Sequence, residues 1–179
     1  RTSARGRQAP QEGPAAWRLK LEHGASIEFD DLFQGHLAYS TDSIGDPVIF
    51  RRDGIAAYQL AVVVDDAFQG ITHVVRGADL LESTAWQVGI FEALGLPAPR
   101  FGHLPLVVEP DGSKLSKSRG AQAVTGWPPG ETLERILCLL GYAPPAGLGS
   151  EPVARILDWA LGGWPPAGLA GKRAIALAT

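Results

Sequence analysis

Methionine is missing altogether and cysteine occurs once, as Cys138, in a chain of 179 residues. A single thiol excludes an intrachain disulfide framework and any multi-cysteine metal centre built from these residues alone. Excess charge of either sign is scarce too. Sixteen Lys and Arg against 19 Asp and Glu leave a formal net charge of −3, which argues against a nonspecific nucleic-acid coat but leaves room for a local basic site. No apolar run reaches membrane-spanning length and no signal segment is expected, so the default compartment is the cytoplasm. With no methionine at its start and the opening Arg1-Thr2-Ser3-Ala4-Arg5-Gly6-Arg7, the sequence reads as one that begins inside something longer.

What is present suits a soluble globular protein: 45% hydrophobic and 20% charged residues, with length for one large domain or a domain with a small appendage. Residues 1–16 are rich in Gly, Pro, Ala and Gln and are expected to be a linker or disordered arm, a basic arm for RNA being the functional alternative. Alternation of Trp17, Leu19 and Leu21 with Arg18, Lys20 and Glu22 predicts a half-buried strand. Ile27 and Phe29 continue in that style until Asp30-Asp31, and short strands follow at 36–39 and 48–51, the second ending in the turn pair Asp53-Gly54. A helix is predicted over 55–70, closed by Gly70. Ile71 to Val75 reads as a buried parallel strand stopping at Arg76-Gly77, and Ser83 as the N-cap of a helix through Leu94, with Val88, Phe91 and Leu94 on one face. Strand, polar switch and helix make a βα unit, and in open α/β sheets ligands sit at the carboxyl ends of such strands. Leu104 to Val108 is a further buried strand. Beyond 120 the character is helical: Glu131–Leu140 with Leu133, Ile136, Leu137 and Leu140 on one face and Cys138 as a small packing residue, then a second helix over 152–161 and a loose tail from Gly162.

Leu104–Val108 delivers the chain to Asp111-Gly112-Ser113-Lys114-Leu115-Ser116-Lys117-Ser118. Lys114 and Lys117 set two mobile ammonium groups on one short loop, which suits a polyphosphate whose charge moves during reaction. Ser116, Ser118 and backbone N–H groups can donate to the same oxygens. Taken by itself, the stretch equally suits a solvated surface loop. Arg76, directly after a strand, offers a rigid fork for a carboxylate, or a salt bridge to Asp79 or Asp66. Tyr58 either lends its hydroxyl to the same pocket or packs as an ordinary aromatic. Asp65-Asp66 reads as a cation or ammonium site or as a solvated helix end.

Taken together, Phe50-Arg51-Arg52-Asp53-Gly54, Ala57-Tyr58-Gln59-Leu60-Ala61-Val62-Val63-Val64-Asp65-Asp66 and Gly70-Ile71-Thr72-His73-Val74-Val75-Arg76-Gly77-Ala78-Asp79-Leu80-Leu81 closely resemble the class I glutamyl-tRNA synthetase group. The loop Lys114–Ser118 resembles that class's Lys-Met-Ser-Lys-Ser signature with Leu115 in place of methionine. Val62 before two further valines, Arg-Gly-Ala-Asp-Leu at 76–80, and an end soon after the lysine loop resemble the truncated glutamyl-queuosine tRNA(Asp) synthetase branch. An ordinary glutamyl-tRNA synthetase fragment, or a non-catalytic remnant that binds RNA or a partner, are the alternatives.

The resemblance implies a two-step reaction. ATP, with Mg2+, and L-glutamate give glutamyl-adenylate and pyrophosphate; the glutamyl group then passes to queuosine at the wobble position of tRNA(Asp). Tyr58 and Arg76 would bind the glutamate, Arg76 pairing a carboxylate. Lys117 would steady the leaving pyrophosphate with Lys114 assisting, and Lys117, Ser116 and Ser118 would bind ATP. Family members work without a membrane, and a monomer is expected at full length.

The sequence departs from the family in lacking the ATP-binding His-x-Gly-His: His23, His36, His73 and His103 do not form it. Zinc ligands that the family often carries are likewise not found. The expectation is a C-terminal part of such an enzyme that makes no adenylate by itself. The expected fold is α/β: the second half of a Rossmann-like nucleotide-binding domain, with an exposed sheet edge, low stability and a tendency to associate. Its parts are an arm (1–16), a β-rich insertion (17–54), the half-domain with the lysine loop (55–120), and a helical segment with a loose tail (121–179).

Overall fold

The computed structural model describes residues 13–109, 112, 126–164 and 167–176. Two compact units divide the chain, one up to His103 and one from Leu104 onward.

In the first unit, strands β2 (Ser26–Asp31) and β3 (Gly35–Ser40) form an antiparallel hairpin with Ile27 opposite Tyr39 and Phe29 opposite Leu37. Helix α2 is Tyr58–Gln69, β5 is His73–Gly77, α3 is Leu81–Leu94 and β6 is Arg100–Leu104. The sheet runs β3-β2-β6-β5, and β6 lies parallel to β2 with Phe101 beside Asp31. Strands β2 and β3, expected within the segment 17–54, therefore share one sheet with β5 and β6. A separate two-stranded ribbon pairs β1 (Trp17–Arg18) with β4 (Val48–Phe50), and a single turn, α1 (Thr41–Ile44), lies between β3 and β4.

The core gathers Leu21, Ile27, Ile44, Val63, Ala85, Val88, Ile90, Phe91 and Phe101. Helix α3 runs through its centre. Leu81, Thr84, Ala85 and every residue from Gln87 to Phe91 are buried, the pattern of a helix covered on most of its faces. Gly89 makes this possible, since a Cβ there would lie 3.1 Å from Cδ1 of Ile27 and 3.3 Å from Cδ2 of Leu21. The Trp86 indole N–H donates to the Gly45 carbonyl at 3.1 Å and fixes the helix about its axis. Both long helices end alike. Gly70 and Gly95 take left-handed φ values of 67° and 65°, and the N–H groups of Ile71 and Leu96 return to Asp66 and Phe91.

In the second unit, β7 (Leu106–Val108) pairs in parallel with β8 (Ala174–Ala176). Helices α4 (Pro129–Leu139) and α5 (Val153–Leu161) bury Leu137, Leu148, Ile156 and Ala160 between them. The Tyr142 hydroxyl donates to the Ala160 carbonyl at 2.9 Å, and its ring packs on Trp159.

Several expectations are corrected. The strand predicted from Trp17 to Glu22 is only two residues long with Trp17 69% exposed, because Leu21 gives its N–H to the Asp46 carboxylate and not to a neighbouring strand. Strand β5 begins at His73 and reaches Gly77. It is an edge strand and not a buried one, which leaves Val75 54% exposed despite its apolar run. Ser83 lies inside α3, since a 3-10 turn at Ala78–Leu80 runs straight into the helix, and Leu94 is exposed. The strand expected at 104–108 is two strands, β6 starting at Arg100 and β7 at Leu106. Pro105 between them has no N–H to give to a ladder. Cys138 is exposed, on the side of α4 turned from Leu137. The tail is tied down: Leu169 is 1% exposed and β8 pairs with β7.

Gly102 supplies a direct test of the packing. A Cβ at Gly102 would sit 2.8 Å from Cε2 of the buried Phe33 ring. Gly102→Val should lower unfolding free energy by about 1–3 kcal/mol in urea titrations, the usual cost of overpacking. Gly126→Ala, where a Cβ meets nothing within 4 Å among the described residues, should leave the midpoint nearly unchanged.

Candidate active site

Strand β2 turns alternate side chains to the core, so Ile27 and Phe29 are followed on the covered face by Asp31. A carboxylate in that position must be satisfied locally. Its Oδ1 accepts backbone N–H bonds from Phe33, Gln34 and His103, each at 3.0 Å, and Oδ2 lies 2.6 Å from Nδ1 of His103. Both side chains are fully buried. The parallel pairing of Asp31 with Phe101 brings His103, two residues further along β6, against the carboxylate.

Arg76 projects from β5, the next strand of the sheet. Its Nε donates to Nε2 of His103 at 3.1 Å, and one terminal nitrogen, Nη2, donates to Thr84 Oγ1 and Gln87 Oε1, both at 2.6 Å. Thr84 and Gln87 are three residues apart on α3, hence on one face of its first turns. Gln87 in turn donates to Gln59 at 2.7 Å, and Gln59 to Ser83 at 3.2 Å, which ties the start of α2 to the same network. The Arg76 guanidinium also lies 5.5 Å from the centre of the Phe101 ring.

These contacts fix the protonation pattern. An Nε–H of arginine can only donate, so His103 Nε2 is an acceptor and its Nδ1–H donates to Asp31. Burial pulls the His103 imidazole below its usual value against the opposing pull of Asp31, in keeping with a neutral ring. Burial pushes Asp31 up, but the bonds from His103, Phe33 and Gln34 outweigh it and hold the carboxyl below its usual range. Burial likewise lowers Arg76, resisted by Tyr58, Asp66 and Asp31.

Of the residues expected from the sequence, Arg76 and Tyr58 come together. Tyr58 stands at the first position of α2, 58% exposed, near enough to Arg76 to offset the burial of its guanidinium. Asp66 acts on Arg76 only through charge, so the alternative of a direct Arg76–Asp66 salt bridge does not describe this arginine. Lys114, Ser116, Lys117 and Ser118 lie outside the described residues. Asp31, His103, Thr84, Gln87 and Gln59 were not singled out. One signal was available: Asp31 falls in phase with Ile27 and Phe29, where alternation asks for an apolar side chain. Among the described residues no cluster of three or more His, Cys, Asp or Glu gathers as a metal site. An open cavity of about 630 Å3, lined by residues 28–32, Val88 and residues 98–101, touches Asp31 but neither Arg76 nor Tyr58.

The network carries a pH signature. The folded values of Asp31 and His103 both lie below their usual 3.8 and 6.5, so the unfolded chain binds protons more readily than the folded one in acid. Stability should be level above about pH 6.5, begin to fall below it as His103 takes up its proton in the unfolded chain, and fall again below about 4 through Asp31. Urea midpoints from pH 8 to pH 4 check this, and His103→Gln should remove the loss that begins near 6.5.

Comparison with known proteins gives the family. Residues 3–149 match the family described as tRNA synthetases class I (E and Q), catalytic domain. A glutamyl-Q tRNA(Asp) synthetase of Methylococcus capsulatus is 46% identical over 157 residues, covering 87% of this chain and 51% of that protein. One from Ectopseudomonas mendocina is 44% identical over 163 residues, 90% of this chain and 55% of its own length. A glutamate–tRNA ligase of Aquifex aeolicus is 49% identical over 137 residues, 74% of this chain and 29% of the ligase. The solved glutamate-tRNA synthetase of Elizabethkingia anophelis superposes with a TM-score of 0.55 at 38% identity, over 60% of this chain and 22% of that one. The chain thus spans about half the length of the glutamyl-Q relatives it matches. An α/β sheet with a half-buried arginine at one edge and a family match across most of the sequence lead to one conclusion: the chain belongs to the class I tRNA synthetases of the E and Q group, in their catalytic domain.

Proposed function

We propose that this chain carries the glutamate-recognising part of a ligase that activates L-glutamate with ATP and passes it to queuosine at the wobble position of tRNA(Asp). One observation carries the reading. The Arg76 guanidinium is held by its Nε–Nη2 edge on His103, Thr84 and Gln87, with Tyr58 beside it. A cation fixed in this way meets a carboxylate with little reorganisation, which is what amino-acid recognition before adenylation requires.

In this reading Arg76 pairs a glutamate carboxylate and the Tyr58 hydroxyl adds a hydrogen bond. Adenylation joins the α-carboxylate of glutamate to the α-phosphorus of ATP and expels pyrophosphate, with magnesium travelling on the nucleotide. Lys117, assisted by Lys114, takes the growing charge on the leaving pyrophosphate, while Ser116 and Ser118 donate to phosphate oxygens. The family resemblance of the Lys114–Ser118 sequence supports these roles. The acceptor is read from the names of relatives 44–46% identical to this chain. The reading carries with it a monomeric enzyme of the cytoplasm. A second reading, charging of tRNA(Glu), is favoured by the 49% identity to the Aquifex aeolicus ligase.

The product of the whole gene decides between them. Glutamylation of queuosine-bearing tRNA(Asp) that is lost after periodate treatment of the queuosine is the expected result; charging of tRNA(Glu) at its 3′ end selects the second reading. Neither activity, in a protein that still binds RNA, would leave a binding role alone. In the active enzyme Arg76→Lys should raise the glutamate KM about tenfold or more with the ATP KM unchanged, the loss of one charge-assisted contact. Lys117→Ala should lower kcat by about 100-fold to 1,000-fold.

A further inference from the structure

Resting on the reading of Arg76 as the carboxylate-binding group, we propose that Asp31 and His103 are positioning residues: Asp31 locks the His103 tautomer, and that tautomer decides which edge of Arg76 is presented to substrate. Neither residue need touch substrate. The bond from the Arg76 Nε–H at 3.1 Å requires a lone pair on His103 Nε2, so the proton must sit on Nδ1. Asp31 Oδ2, a charged acceptor 2.6 Å from Nδ1, keeps it there against the neutral Thr84 Oγ1, 2.9 Å from Nε2. Asp31 cannot turn to offer anything else, because its other oxygen is occupied by three backbone N–H groups.

The alternatives for the imidazole show what the lock prevents. With the proton on Nε2, the ring would direct an N–H at the Arg76 Nε–H, two donors facing each other, and its acceptor there would be Thr84 Oγ1, 2.9 Å from Nε2 and already taken by Arg76 Nη2. The guanidinium would have to rotate away, and its Nη2 would leave Thr84 and Gln87, which it now meets at 2.6 Å. Because the guanidinium is planar and its donors are fixed relative to one another, holding Nε and Nη2 also aims Nη1. The bonds on α3 set the lateral position of the fork; His103 sets its rotation.

Asp31→Asn tests this without changing shape. The three backbone bonds can persist on the amide oxygen, while the amide N–H2 faces His103 Nδ1 and drives the proton to Nε2. A carboxylate-to-amide change behind a histidine acts by this tautomer inversion. In the product of the whole gene, Asp31→Asn should raise the glutamate KM about tenfold or more while the ATP KM stays within about twofold. His103→Gln, whose amide can accept from Arg76 and donate to Asp31, should recover most of the wild-type value, and His103→Leu should not. Arg76→Ala is the reference. If it leaves the glutamate KM unmoved, the carboxylate reading and this proposal both fail. If it raises that KM while Asp31→Asn does not, only the lock is wrong. Should Asp31→Asn fail to fold, nitrogen NMR of the wild-type histidine ring decides: a proton on Nδ1 with a bare Nε2 is expected, and a proton on Nε2 overturns the proposal.

Discussion

A single carboxylate buried in the phase of an apolar residue organises the first unit. Asp31 ends β2, turns the chain into β3 through its bonds to Phe33 and Gln34, and grips both the backbone and the ring of His103 on the neighbouring strand. An ionised group without those four bonds would be intolerable where it sits. With them it joins the hairpin to the parallel part of the sheet. The hydrogen-bonded path then continues through His103 to Arg76 and across α3 to Gln59 on α2. One polar thread thus connects three strands and two helices that hydrophobic packing alone would leave free to slide.

The division of labour around that thread is clear. Apolar contacts of α3 with Leu21, Ile27 and Phe101 supply the bulk of the burial, whereas the polar thread specifies rotation and register. Gly89 and Gly102 mark where the two systems meet, because each removes a side chain that would push the helix or the turn at Phe33 away from the sheet.

Much of this was legible in the sequence. Gly70 and Gly95 stopped the helices where the pattern said they would, and alternation marked strands near β2 and β3, though not their pairing. Arg76 and Tyr58 could be found because a fork after an apolar run and a tyrosine at a helix start stand out against their neighbours. Other features resisted. Val74 and Val75 look buried by composition, yet sheet order leaves Val75 open, and order is set by which strands find partners far along the chain. His103 could not be linked to Asp31 by any local rule, since 72 residues separate them. Thr84 and Gln87 looked like ordinary helix polars until β5 placed a cation above them. Residue type announced the cation after the strand, but not the groups that hold it.

The acceptors around Arg76 have a thermodynamic corollary. His103, Thr84 and Gln87 are all neutral, so among the described residues no carboxylate is hydrogen-bonded to this half-buried cation; Asp66 and Asp31 offset it only from a distance. In the proposed reading, a glutamate carboxylate would bring this cation a hydrogen-bonded counter-charge. Binding and folding would then be coupled: a ligand that neutralises Arg76 would stabilise the native state by RT ln(1 + [L]/Kd), about 2.7 kcal/mol at a hundredfold excess over Kd. Occupancy of the proposed site would thereby be written into the melting temperature of the first unit.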